Sequence, residues 1–286
     1  MATTAKKKAP AKKAAAKKVG TGSVSKKSTP PESTALDIYI PERKVEEFTL
    51  TLKSMGANIY GCHTVTNKTR LDLEKKHDGL KVQGKDRPPK DQFQEMKDAG
   101  YWLFDKKGKP THLCATAIQV KKATVDACRH VNDPNLTMIA SRSWFFIFGT
   151  DKRDNQMLPL TSQHGHLPEN LKTKMDYRFT DELDEEPKSR WVTPERVKEM
   201  KHLHSLGVSM RQDPVSLGVG KDKDLRYRPV IHDWSTEILV QYSPNIISGQ
   251  AIINLIQLAG FHNGIGEWRP SSPKAVGSWG QFEIAG

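Results

Sequence analysis

Cysteine is scarce in this chain of 286 residues. Cys62, Cys114 and Cys128 are odd in number and unequally spaced, which argues against a disulfide framework and for a reducing compartment. No apolar run approaches the ~18 residues that a membrane-spanning helix needs, and the amino terminus has no apolar core of the signal-peptide kind. The expectation is a cytoplasmic protein with no membrane partner. Apolar residues are also few, 36% of the total, which is low for a compact domain. Acidic residues are missing altogether from residues 1–30, where nine lysines stand. The remaining residues, 31–286, hold 36 basic and 33 acidic side chains, so most of the chain's net charge of +12 belongs to the amino-terminal segment. A body so close to neutrality needs local patches rather than bulk charge to hold a polyanion.

Residues 1–35 are mostly Lys, Ala, Ser, Thr, Pro and Gly, with lysines grouped at Lys6–Lys8, Lys12–Lys13 and Lys17–Lys18. Such a composition is expected to be disordered, because like charges repel and little apolar surface is available to bury. It reads either as an arm that neutralises phosphates or as a solubilising linker. Residues 36–286 read as one domain.

Within that domain, Phe48–Lys53 alternates with period two, as a half-buried strand does. Residues 66–110 are charged and broken by Gly and Pro. They read as an insertion carrying a short strand pair, near Tyr101–Phe104 and Thr111–Leu113, around Gly108. Ala115–Val131 has helical apolar spacing, with Lys121 and Lys122 off the stripe. Ser143–Phe148 reads as a buried strand. Residues 150–230 are polar and proline-punctuated, a second insertion, with a helix over Thr193–Leu206 capped by Thr193. Trp234–Tyr242 alternates again, with Trp234 a core residue. Ser248–Ala259 reads as a helix stopped by Gly260, and Trp279–Ile284 as the last strand. This order of elements predicts an α+β, ferredoxin-like fold: a four-stranded antiparallel sheet with both helices on one face.

The candidate site is the glycine-rich loop between that helix and that strand. Gly264, Gly266, Gly277 and Gly280 surround Trp268, Arg269 and Lys274. Glycine admits positive φ and close approach of another backbone, and aromatic and basic side chains beside such a loop suit stacked bases and phosphates. The loop reads equally as a closing turn of the fold. A second candidate is the basic segment with Arg211, Lys221, Lys223, Arg226, Tyr227 and Arg228, whose guanidinium groups suit phosphate and whose phenol suits a base. Its alternative is ion pairing with Asp213, Asp222, Asp224 and Asp233. Glu267 and Glu283 are expected to pair with Arg269 or an insertion lysine.

Other motifs fail on spacing. Gly264-x-Gly266 follows a helix and lacks a third glycine, and Gly218-Val-Gly220-Lys221 lacks the flanking residues of a phosphate-binding nucleotide loop. His164-x-His166, His202-x-His204 and Cys62-His63 lack metal-site spacing and read as surface residues of the insertions. No cofactor or metal is expected. His112, His232 and His262 are candidates for a general base.

Arg226-Tyr-Arg-Pro229, Trp234 and Gly264-Ile-Gly-Glu-Trp-Arg-Pro270, followed by Gly277 and Gly280-Gln-Phe-Glu283, resemble a group of bacteriophage and prophage proteins over roughly the last ~240 residues. More distantly, the helix–glycine-loop–strand ending is similar to the RAMP superfamily, which includes the backbone subunits of class 1 CRISPR effector complexes. The resemblance implies an RRM-like domain with a thumb-like insertion, acting in a host cell's cytoplasm. It implies binding of single-stranded RNA or DNA, possible assembly of copies into a filament, and no cleavage. The alternatives are a metal-independent endoribonuclease of RAMP type and a structural or host-interaction protein of a phage.

Overall fold

The computed structural model describes residues 42–55, 59–61, 91–150, 156–180, 192–216, 223–273 and 277–286. Residues 66–90, Lys221 and Lys274 thus lie outside the described residues, as does the amino-terminal segment. The body, Arg43–Gly286, is one compact unit.

Its largest element is an antiparallel sheet of seven strands. Strand β1 (Glu46–Ser54) turns Phe48, Leu50, Leu52 and Ser54 inward, as the period-two pattern requires. After the short β2 (Ile59–Gly61) and helix α1 (Gln92–Asp98) come β3 (Tyr101–Phe104) and β4 (Pro110–Thr116), a hairpin turning at Gly108, φ +76°. Helix α2 (Ala117–Ala127) starts directly from β4, so the expected helix begins two residues late and ends in a 3-10 turn, Cys128–His130. The short helix α3 (Met138–Ser141) precedes β5 (Phe145–Gly149), and β6 (Met157–Ser162) follows. Helices α4 (Lys174–Thr180) and α5 (Pro194–Ser205) lead into β7 (Val208–Ser216), β8 (Lys223–His232) and β9 (Trp234–Tyr242). Helix α6 (Gly249–His262) and β10 (Phe282–Ile284) close the chain.

The strands run in the order β10-β1-β9-β6-β4-β3, with β5 also paired to β9. β9 is the hub. One side pairs with β1 along its length, Leu50 opposite Ile238 and Leu52 opposite Thr236. The other side pairs with β6 at Trp234–Ser235 and with β5 from Ile238 to Tyr242. Helix α2 packs on β5, α6 packs on β10, and the two helices pack on each other. They cover Leu52, Phe145, Ile147, Trp234, Ile238 and Val240, all buried. The side-chain amide of Asn263 donates to the Ala123 carbonyl (2.8 Å) and ties the end of α6 to α2.

Three expectations are corrected. The sheet has seven strands rather than four, because β3, β4 and β6 extend it. Residues 150–230 hold more than the expected helix, which is α5: they also supply β6, α4 and a long hairpin, β7–β8, which with β2 forms a second, three-stranded sheet. Gly260 does not stop α6, which runs on to His262. It is glycine because the Phe282 carbonyl of β10 lies 1.8 Å from where a Cβ would stand. The chain passes from the small sheet to the large one at Asp233, φ +45°, between β8 and β9.

Over β1, β9 and β5 the other face of the large sheet is open. Glu47, Thr49 and Thr51 of β1, Glu237 of β9 and Phe146 of β5 are exposed there. Ser143–Phe148 therefore alternates rather than being buried on both sides, with Phe145 and Ile147 inward and Phe146 and Phe148 outward.

Candidate nucleic-acid interface

The carboxy-terminal loop is held by its own main chain. The amide of Gly264 donates to Ala259 O (2.9 Å), Ile265 N to Gly280 O (2.9 Å), Glu267 N to Gly61 O (3.1 Å) and Trp279 N to Trp268 O (3.2 Å). Gly264, Gly266 and Gly280 take positive φ. A Cβ on Gly266 would stand 2.7 Å from Gly61 O, and one on Gly277 2.4 Å from Trp268 O. The backbone that these glycines admit is therefore the chain's own, which accounts for them as parts of a closing turn.

Trp268 is what the loop presents outward. It has φ +50°, rare for a bulky residue, and its residue surface is 42% exposed. Its ring lies 4.9 Å from that of Trp279, tilted by 36°. Behind them the Arg211 guanidinium lies 5.3 Å from the Trp268 ring and 4.6 Å from the Trp279 ring. The indole is thus backed by a second indole and a cation. Arg269, half-buried beside it, donates from Nη1 to Gly266 O (2.9 Å) and from Nε to Ser271 Oγ (3.2 Å).

Arg211, Lys223, Arg226, Tyr227 and Arg228 of the basic segment lie in the β7–β8 hairpin, and its three arginines face acids of the same chain. Arg211 donates from Nε to Asp213 (2.6 Å) and from Nη2 to Glu267. Arg228 reaches Glu267 (3.0 Å) and Asp213 (3.4 Å). Arg226 pairs with Glu95 at 3.2 Å. Tyr227 is buried, its hydroxyl accepting from Gln92 Nε2 (3.1 Å). Lys223 stands opposite Ser216 in the ladder. Glu267 is therefore a partner of Arg211 and Arg228, and Glu283 pairs with Lys53 (3.3 Å). Two residues outside the expected site complete it: Trp279, and Gly61, where a Cβ would meet Arg211 Nη1 at 3.0 Å and the Trp279 ring at 3.3 Å. Their signal was only a second tryptophan in the loop and a glycine far away in the chain.

Lys122 is exposed on α2. Lys121 turns toward β5 instead: its ammonium donates to Phe145 O and to Ser141 O (3.4 Å) and lies 3.4 Å from the Phe145 ring centre. Burial outweighs these contacts and pulls its pKa down to about 8. The unfolded chain, with an ordinary lysine near 10.5, then holds more protons than the folded chain between these values. Stability should rise with pH across that window. Lys121→Met should remove the rise, read from denaturant midpoints on either side of pH 9.

Several described histidines contact acids, a carbonyl or another ring. His164 Nε2 meets Asp233 at 2.5 Å, and Gln163 N donates to Asp233 O (2.7 Å), so the turn after β6 is pinned to the corner between the two sheets. His204 meets buried Asp176 (3.1 Å), and His202 meets Pro110 O (2.7 Å). His112 and His232 are held below the usual imidazole range by burial. His262 stacks on His130, 4.3 Å between rings. Among the described residues no three His, Cys, Asp or Glu side chains could hold a metal ion, and no helix is long and apolar enough to cross a membrane. No protein-family model and no curated protein matches the chain.

Proposed function

We propose that the protein binds single-stranded nucleic acid without cleaving it, through a stacking platform at Trp268. The observation that carries this reading is that indole: outward-facing, held at a costly backbone conformation, and buttressed by Trp279 and Arg211. Strain retained at an exposed aromatic motivates a functional role, and stacking on an aromatic face binds any base. Arg269 next to it is the cation positioned for a phosphate. The strand order supports the expected ferredoxin-like, RRM-like topology. Taking β1, β5, β9 and β10 as its four strands, they lie in the order β10-β1-β9-β5, with α2 before β5 and α6 before β10. In this reading β3, β4 and β6 and the second sheet are additions to a RAMP-type core, and copies self-associate along the strand.

Trp268→Asn tests the platform, because asparagine tolerates the left-handed conformation while removing the ring. Fluorescence anisotropy with an unstructured oligonucleotide should show affinity falling by about 1–3 kcal/mol, roughly five- to 150-fold. Trp268→Tyr should recover part of the loss. Arg269→Gln should lower the dependence of binding on salt. Wild-type protein that shows no shift at micromolar concentration in low salt, or a Trp268→Asn variant that binds as tightly as wild type, would refute the reading.

A further inference from the structure

We propose that the open face of the large sheet is a docking surface for the lysine-rich arm of a second copy of this chain. Two rows of side chains cross this face. Glu47, Gln241 and Phe146 form one, and Thr49, Leu239 and Phe148 the next, in the register of β1, β9 and β5. Phe146 is 48% exposed, and its ring stacks on that of Phe148, 6.5 Å apart and tilted by 22°. Beside them stand Thr51 and the exposed Glu237.

The charges of the face select its occupant. Lys53 and Glu283 satisfy each other at 3.3 Å. Glu47 accepts from the Gln241 amide (2.6 Å), and among the described residues neither Glu47 nor Glu237 has a basic partner. Lys121 approaches the Phe146 ring to 5.5 Å but is tied to Phe145 O. Two unneutralised carboxylates repel a phosphate chain, so this face does not suit the nucleic acid assigned to Trp268. A stacked aromatic pair flanked by carboxylates suits ammonium groups on aliphatic stems: the stem lies on the ring, and the charge sits over the ring and beside the acid.

The chain carries a segment of that chemistry. Residues 1–30 hold nine lysines and no acid, grouped in twos and threes among alanines. The 41 residues preceding Glu42 could span at most about 140 Å, enough to reach a neighbouring molecule. A surface that accepts another copy's arm is heterologous and does not close on itself, so association should grow with concentration rather than stop at a dimer.

Sedimentation velocity of nuclease-treated, full-length protein tests this. At low salt the average mass should climb with concentration, and salt that shortens the screening length should return the monomer. Glu237→Lys, at an exposed position, and the double substitution Phe146→Ala with Phe148→Ala should each hold the protein monomeric at low salt. A synthetic peptide of residues 5–19 in excess should dissociate the wild type and should bind Glu237→Lys at least about tenfold more weakly. Circular dichroism verifies that the variants are folded, and Glu237→Gln serves where Glu237→Lys is not. The proposal is overturned by a wild type that stays monomeric at every concentration, including one whose arm occupies its own face. Association that nuclease abolishes, or that the face variants leave intact, also overturns it. None of these outcomes depends on whether Trp268 binds nucleic acid.

Discussion

Arg211→Met should cost about 3–5 kcal/mol of folding stability, the loss expected when one member of a buried ion-pair network is removed. Two guanidinium groups, Arg211 and Arg228, and two carboxylates, Asp213 and Glu267, contact one another where side chains are at most 13% exposed. The set is neutral. Removing Arg211 takes a cation away from both carboxylates and also withdraws it from the Trp268 and Trp279 rings. Methionine restores much of the volume but neither the charge nor the donors. Pairing Arg211→Met with Glu267→Gln restores neutrality, so the double variant should be more stable than the two single losses summed would allow. Urea denaturation of the four proteins measures that coupling. A single-variant loss under about 1 kcal/mol would mean that the network behaves like a solvent-exposed pair. The network also links the loop to the small sheet: Asp213, Arg211 and Arg228 come from the β7–β8 hairpin and Glu267 from the loop. The platform at Trp268 should therefore weaken together with the fold.

What was legible in the sequence was what periodicity reports. β1 and β9 alternate so regularly that the apolar residues on their inward faces could be named. The stripes of α2 and α6 follow helical spacing because one face of each is buried against the sheet or the other helix. Trp234 was legible as core because it falls on the alternating face of β9. The β7–β8 hairpin was hidden because its inward positions include Ser209, Arg211 and Asp213, all buried. The burial of Arg211 and Asp213 is made possible by charged partners far along the chain, Glu267 for Arg211 and Arg228 for Asp213, which no local window contains. The same limit applied to the glycines. Composition shows that Gly264, Gly266, Gly277 and Gly280 permit close approach of a backbone. Only the fold shows that this backbone is Gly61, Trp268, Ile265 and their neighbours rather than a ligand. Phe146 and Phe148 were read as buried because a run of aromatic residues looks alike whether it faces a core on both sides or on one.

A methyl group at Gly260 or Gly280 should destabilise the protein by about 3 kcal/mol or more, at the upper end of what overpacking costs. At Gly260 the added Cβ would stand 1.8 Å from Phe282 O and 2.7 Å from Phe282 C. Both are main-chain atoms of β10, so no rotamer change relieves the clash, and either α6 or β10 must move. β10 has little to resist with: it is three residues long and, among the described residues, pairs only with β1. At Gly280 two costs coincide. φ is +67°, and the Cβ would lie 1.7 Å from Ile265 O, across a turn closed by the Ile265 N to Gly280 O hydrogen bond. Gly108 separates these effects. It shares the positive φ, at +76°, but has no atom within 4 Å of an added Cβ, so Gly108→Ala should lose only the conformational part, about 1 kcal/mol. The expected order of loss is Gly280→Ala, then Gly260→Ala, then Gly108→Ala, measured as shifts in the urea midpoint. If Gly260→Ala proved as stable as Gly108→Ala, the packing of α6 onto β10 would be looser than these distances require. The loop that presents Trp268 would then lack the rigid base that the proposed stacking platform needs.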